Sequence, residues 1–311
     1  MALSNNIRVL VVSSYHAGHI STYVQEQIDA LNALGVTISY FGVKGHGFIG
    51  YLRNYIPLKR QIAEFTPNII HAHYGLCGLL CNLQRTTSVV TTYHGSDINN
   101  PFVRFFSLLS VCLSACNIFV SNNLMKKIGA NHHSWVIPCG INLSQFPIID
   151  KNTARQRLKL HESKKYVLFG GQMNRKVKNG ALAVSIMQMV PWAEMIELQG
   201  FTRFEVALLL NAVDCLLLTS HSEGSPQIIK EAMACNCPIV SVDVGDVAER
   251  LSGIDGCCVV NSRQPTYIAE TIIRVLNNNS RSNGREHVLK QQLDNSQIAN
   301  RLLSLYKKFG I

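Results

Sequence analysis

Short apolar runs alternate with segments of helical period along the whole chain. Runs at 7–13, 36–43, 67–75, 89–93, 117–121, 166–169, 196–200, 215–219, 239–242 and 256–260 have strand length, and most lack the polar alternation of a half-exposed strand. Apolar residues recur at helical spacing in 21–34, 102–113, the stretch from 180, 203–212, 228–234, 266–276 and 284–309. Strands alternating with helices through both halves predict an α/β protein. Two Rossmann-like parallel-sheet domains would face a cleft, with ligand at the carboxyl ends of the strands. The first domain covers 1–150 and the second 151–295, with the polar, basic stretch 150–165 read as the linker.

Two segments complicate the pattern. Residues 102–120 are almost long and apolar enough to span a membrane, but Arg104, Ser107, Ser110, Ser114 and Asn117 interrupt them, so a helix followed by a short strand is expected. In 44–65, Phe48, Ile49, Tyr51, Leu52 and Tyr55 mix with Arg53, Lys59 and Arg60. A helix packed on a sheet is the leading reading there, and membrane contact the minor one.

The most informative stretch is His221 to Glu249. After the strand at 215–219 comes a polar turn, Ser222-Glu223-Gly224-Ser225. Pro226 then stands at the expected first position of a helix running to Ala234. A helix start offers backbone N–H groups and the positive end of the dipole to an anion such as phosphate. Glu231, about 7.5 Å along the axis, leans back toward that start and reaches a hydroxylated group beside the phosphate, such as a ribose diol. Glu223 lies on the phosphate's other side. A diphosphate cradle between two carboxylates fits a nucleotide-sugar.

Composition narrows the remaining choices. Of 311 residues, 47 % are hydrophobic and 15 % charged, which suits two packed cores and excludes a disordered chain. Ten cysteines show neither a C-x-x-C pair nor His partners at zinc-finger spacing, so buried reduced thiols are expected, with no structural zinc. Asn5, Asn6 and Arg8 precede only a strand-length apolar run, and no secretory signal is read there. The net charge of +10 is scattered, with no basic stripe interleaved with aromatics. Nucleic acid is therefore not expected as a partner, and an anionic membrane surface is the better candidate.

The string S-E-G-S-P-x-x-x-x-E-A-M-A-C, with Glu223 and Glu231 eight apart and the strand P-I-V-S-V-D-V-G after it, resembles the E-x7-E signature of glycosyltransferase family 4, retaining enzymes of the GT-B fold. Pro67 to Gly75 is similar to the family's D-[IV]-[IV]-H-x-H segment, with Asn68 for the usual Asp. His94-Gly95-Ser96-Asp97 resembles its H-G-x-D loop, and 135–146 its V-I-P-N-G-[IV]-D-x-x-x-F string, with Cys139 for Asn. The resemblance implies that His94 and Glu223 position the donor sugar and that Glu231 holds the ribose. Lys178, Gly224, Ser225, Pro226, Gln227 and Ile228 would bind the diphosphate, and Gly18 would let the first loop approach it. The family's phosphate-binding Arg usually follows the strand directly. Gln172 stands there, and Arg175 is the candidate replacement. The last helix, about 296–311, is expected to rejoin the first domain.

The implied activity is transfer of a sugar from a nucleotide-diphosphate donor to a glycan or lipid-linked glycan acceptor, in cell-surface polysaccharide biosynthesis. No cofactor and no metal are expected, and the implied location is cytoplasmic, peripheral on the inner membrane face. The alternatives are a non-catalytic GT-B-like binding subunit and a GT-B nucleotide-sugar epimerase. An NAD-dependent oxidoreductase fails for want of G-x-G-x-x-G. Oligomeric state is not readable.

Overall fold

The computed structural model describes residues 7–15, 18–129 and 133–309. Asn5 and Asn6, and His16 and Ala17 of the first loop, lie outside them. The chain groups into two compact units, one formed by residues up to Gly140 together with the segment from Asn295, the other by Ile141–Asp294.

In chain order the first unit holds β1 (Arg8–Ser14), α1 (Thr22–Ala33), β2 (Thr37–Val43), α2 (Gly47–Leu52), α3 (Tyr55–Phe65), β3 (Ile69–His73), α4 (Gly75–Asn82), β4 (Ser88–Tyr93), α5 (Ser96–Asn99), α6 (Pro101–Leu113), β5 (Cys116–Phe119), α7 (Asn122–Ile128) and β6 (Ser134–Val136). Its sheet is parallel throughout, in the order β2-β1-β3-β4-β5-β6. Strand alternation decides which residues go to which face. Val9 and Val11 of β1 pack with Val24 and Leu31 of α1, while Leu10 and Val12 pack with Leu58 of α3 and Leu80 of α4.

The second unit holds α8 (Lys151–Leu158), β7 (Lys165–Phe169), α9 (Gly180–Met187), β8 (Ala193–Glu197), α10 (Arg203–Ala212), β9 (Cys215–Leu218), α11 (Gln227–Ala234), β10 (Ile239–Val242), α12 (Val247–Leu251), β11 (Cys257–Val260), α13 (Pro265–Asn278) and α14 (Gly284–Lys290). Its parallel sheet runs β11-β10-β9-β7-β8. The order reverses beside β7, so the loops after β7 and β9 adjoin at a topological switch point, where open α/β sheets bind ligands. The final helix, α15 (Asn295–Phe309), belongs to the first unit, where Ile298, Leu302 and Tyr306 pack with Val9, Val11 and Ile69.

Several expectations need revision. The stretch 150–165 is no linker. Asp150 caps α8 by accepting from the Thr153 N–H at 2.9 Å, and Arg155 is buried. Its guanidinium pairs with Asp214 at 2.8 Å, and Lys151 and Lys165 reach the same carboxylate at 2.5 and 3.4 Å. Three of the basic residues that made the segment look like a solvated tether thus neutralise one buried acid. Burial pushes Asp214 up, but the Lys151 hydrogen bond, the Tyr166 N–H and the neighbouring cations outweigh it and hold the carboxyl below its ordinary value.

Residues 141–150 pack with the second unit. Ile141 N–H bonds to Leu293 O at 2.9 Å, Ile149 N–H bonds to Asn211 Oδ1 at 2.9 Å, and Phe146 is fully buried in that core. The strand read at 196–200 is 193–197, because Gly200 turns the chain at φ +80°. The helical tail is broken between α14 and α15, where Gln292 takes φ +54°. Residues 44–65 form two helices, and 102–120 a helix and a strand. Among the described residues, no helix is long and apolar enough to cross a membrane.

Candidate functional site

The candidate site of the second unit is built at its switch point. After β7 the chain forms a tight turn at Lys176–Lys178, ended by Asn179 in the left-handed region at φ +54°. The loop after β9 is stitched to this turn. Thr219 Oγ1 donates to Lys178 O (2.9 Å) and Asn179 O (3.0 Å), and His221 N–H donates to Val177 O (2.8 Å). Backbone bonds thus fix two side chains before either makes its own contact. Lys178 Nζ donates to Glu223 Oε1 at 2.7 Å, in an ion pair largely withdrawn from water. Gly171 leaves room for the lysine, since a Cβ there would meet Lys178 Cγ at 2.8 Å.

The start of α11 is held from the other side. Pro226 is its N-cap and Gln227 its first residue, one position later than expected, because Pro226 keeps an extended ψ of 122°. Ser225 Oγ donates to Asp246 Oδ2 at 2.8 Å, and Arg250 Nε donates to the same oxygen at 2.8 Å. Asp246 Oδ1 is buried without a hydrogen-bond partner among the described residues. Gly245, at φ +62°, lies so close to Gly224 that a Cβ would meet the Gly224 carbonyl oxygen at 2.8 Å. Only glycine satisfies both constraints there.

The structure therefore brings Lys178, Glu223, Gly224, Ser225 and Pro226 together, with Gln227 and Ile228 in the first turn behind them. Arg175 is exposed, and its guanidinium joins no ion pair among the described residues. Glu231 is buried on α11 and pairs with Arg203 Nη1, a partner that sequence reasoning missed. The Arg203 guanidinium also lies over the Phe146 ring, 4.7 Å from its centroid. One signal for Arg203 was available. It is the first residue of α10, inside the Thr202–Glu205 capping box, where the helix dipole disfavours a cation unless an anion sits opposite.

The candidate residues of the first unit are surrounded by rings. β3 ends in His73, β4 runs into His94, and Asp97 ties the two loops by accepting from the N–H groups of Gly75 (3.1 Å), His94 (3.1 Å) and Gly95 (2.9 Å). Burial raises the Asp97 carboxyl to about 6, against the pull of those donors. His94 Nε2 lies 3.0 Å from His73 Nδ1, and Cys139 Sγ 3.6 Å from its Nδ1. Tyr23 and Tyr74 flank the ring at centroid distances of 5.0 and 4.7 Å, and their hydroxyls bond each other. His73 is fully buried and pushed down to about 3, so it is neutral at physiological pH. Each His94 nitrogen thus has a partner inside its own unit. Gly18, in the loop after β1, needs glycine for its φ of +74°, while nothing in the structure crowds it.

Two doubly wound parallel sheets, one carrying charged pairs beside a helix start at its switch point, define the GT-B class. The family model "Glycosyltransferase Family 4" matches residues 3–145 and "Glycosyl transferases group 1" matches residues 149–278, which together span nearly the whole chain. The chain belongs to the GT-B glycosyltransferases. It is 28 % identical over 247 residues to TuaC of Bacillus subtilis, a glycosyltransferase assigned provisionally to teichuronic acid biosynthesis. That match covers 68 % of this chain and 62 % of TuaC, less than two-thirds of the relative's length. Among solved structures, sucrose-phosphate synthase of Thermosynechococcus elongatus aligns with a TM-score of 0.86 and 18 % identity, over 97 % of this chain and 98 % of that one. HepE of Anabaena in complex with UDP aligns with a TM-score of 0.76 and 12 % identity, over 97 % and 100 %.

Proposed function

We propose that the chain is a retaining glycosyltransferase that moves a sugar from a nucleoside-diphosphate donor to a glycan or lipid-linked glycan in cell-surface polysaccharide biosynthesis. The observation that carries this reading is the Lys178–Glu223 ion pair, 2.7 Å long, beside the start of α11. An ammonium there neutralises the diphosphate as it departs, and preorganised charge of this kind commonly supplies more of an enzyme's rate enhancement than any other single effect. The α11 start adds backbone N–H groups and its dipole. Glu223 accepts from hydroxyls of the donor sugar, and His94 has the same task from the first unit. Glu231 holds the ribose, and Arg203 orients its carboxylate. In the same-face displacement we favour, the bond from the anomeric carbon to the phosphate oxygen breaks as the acceptor oxygen bonds that carbon. The acceptor's proton passes to the departing phosphate.

HepE of Anabaena with UDP and with UDP-glucose supports a nucleoside-diphosphate sugar as donor class, and TuaC, named for teichuronic acid biosynthesis, supports a polysaccharide as product class.

The test is a thermal-shift panel of nucleotides and nucleotide-sugars on wild type and Glu231→Ala. A ligand at a hundredfold excess over Kd stabilises by about 2.7 kcal/mol, which raises Tm visibly. Stabilisation by one diphosphate nucleotide, lost in the variant, is the expected result. If no nucleotide binds at millimolar concentration, the transferase reading fails and a non-catalytic subunit replaces it.

A further inference from the structure

Helix α6 turns much of its apolar surface outward. Its inward face presents Ser107 and Ser110, both fully buried, beside the buried Val111, while Phe102, Phe105, Leu108, Leu109 and Leu113 are exposed. Phe102 is 76 % exposed and Phe105 60 %. The cause lies in α4. A Cβ on Gly75 would meet Ser107 Oγ at 2.1 Å, and one on Gly78 would meet Ser110 Oγ at 2.3 Å, so the two helices touch through small residues. Ser107 Oγ donates to Asp97 O at 2.9 Å, and Ser110 Oγ accepts from Tyr93 OH at 3.1 Å. The helix is therefore anchored by close backbone approach and hydrogen bonds, and its apolar stripe is left in water.

The stripe continues onto α2. The Phe48 ring stacks on Phe106 at 5.1 Å, which places Ile49, 69 % exposed, on the same side of the unit. A contiguous exposed apolar face of this kind marks an interaction surface. Its setting indicates the partner. Residues 44–128 contain eight Lys and Arg but two acids, Glu64 and Asp97, and Asp97 is buried. Lys127 Nζ bonds Asn99 Oδ1 at 2.8 Å and Arg104 Nη2 donates to Lys127 O at 2.6 Å, which brings basic side chains to the amino end of α6. A second copy of the chain would set this cationic rim against its own image. An anionic bilayer satisfies both the rim and the apolar stripe.

We propose that the α2–α6 face docks on an anionic lipid bilayer, with Phe102 and Phe105 entering the boundary between headgroups and acyl chains and the surrounding lysines and arginines contacting the headgroups. The docking needs no donor or turnover and stands apart from the transferase reading.

The test is flotation of the full chain with phosphatidylcholine vesicles and with vesicles containing added phosphatidylglycerol. Salt-sensitive binding to the anionic vesicles is expected. The double variant Phe102→Ser, Phe105→Ser should partition about a hundredfold less, and Lys126→Gln with Lys127→Gln about thirtyfold less. Both pairs are surface residues, and an unchanged melting temperature without ligand shows that the fold is intact. Absence of binding to anionic vesicles overturns the proposal, as does binding unchanged in the Phe102→Ser, Phe105→Ser variant. A wild-type dimer that these two substitutions dissociate also overturns it, in favour of a second copy.

Discussion

Two buried carboxylates, Asp97 in the first unit and Asp214 in the second, are treated in opposite ways. Asp214 of the second unit is met by Arg155, Lys151 and Lys165, and its carboxyl is held below the ordinary value even though burial opposes this. Asp97 of the first unit is met by backbone N–H groups alone, and burial raises it to about 6. The same contrast runs through the candidate sites. In the second unit Lys178–Glu223 and Arg203–Glu231 are ion pairs of full charges, whereas His94 in the first sits among neutral rings. One set of residues pairs full charges, while the other packs uncharged rings.

The largest effect that would sharpen this contrast is at Lys178. Lys178→Ala should lower kcat about a hundredfold to a thousandfold with the donor found by the nucleotide panel, the cost of losing one preorganised transition-state donor. Steady-state kinetics checks it, and a change confined to KM would show that the lysine only binds the ground state.

Next comes Arg203→Ala, which leaves the Glu231 carboxylate buried without its ion-pair partner. A loss of about 1–3 kcal/mol is expected, below the value for a fully buried pair because the Arg203 side chain is about a third exposed. Urea denaturation reads it, and a loss under about 0.5 kcal/mol would place the pair among ordinary surface salt bridges.

The smallest effect is the one that separates the units. Asp97, raised in the fold, contributes stability that is fully present below the unfolded value near 4 and is lost as pH rises through about 6. Asp214, lowered in the fold, contributes stability present above its unfolded value and lost as pH falls below it. Between pH 7 and pH 5 only the first operates. Acidification over that window should therefore add about 1 kcal/mol from Asp97, and Asp97→Asn should remove that increment. Equal pH slopes in wild type and variant would break the comparison.

This difference also governs what could be read from the sequence. The parallel sheets were legible because strands buried on both faces are written as unbroken apolar runs, and Val9 to Val12 needs no context to be recognised. The grouping of Glu223 with the α11 start was legible because turn, proline and helix follow each other in one string. The box around His94 was not, since Tyr23, His73, Tyr74 and Cys139 come from separate segments that only the sheet order brings together. Arg203 lies 28 positions from Glu231, and nothing local names the pair. The stretch 150–165 misled for the converse reason, because a buried Arg155 and a solvated one look alike until Asp214 is placed. Helix α6 was recognised as a helix, but its periodicity gave no hint that the serines, and not the phenylalanines, face inward.

The placement of α15 bears on how the molecule comes into being. The second unit is one continuous segment, while the first is split, with its closing helix made after the second unit is complete. Until α15 emerges from the ribosome, Val9, Val11 and Ile69 lack Ile298, Leu302 and Tyr306, and His71 Nδ1 lacks the Tyr306 hydroxyl that lies 2.5 Å away. The half that is translated first is thus the last that can finish folding, and during synthesis it must wait with part of its core uncovered.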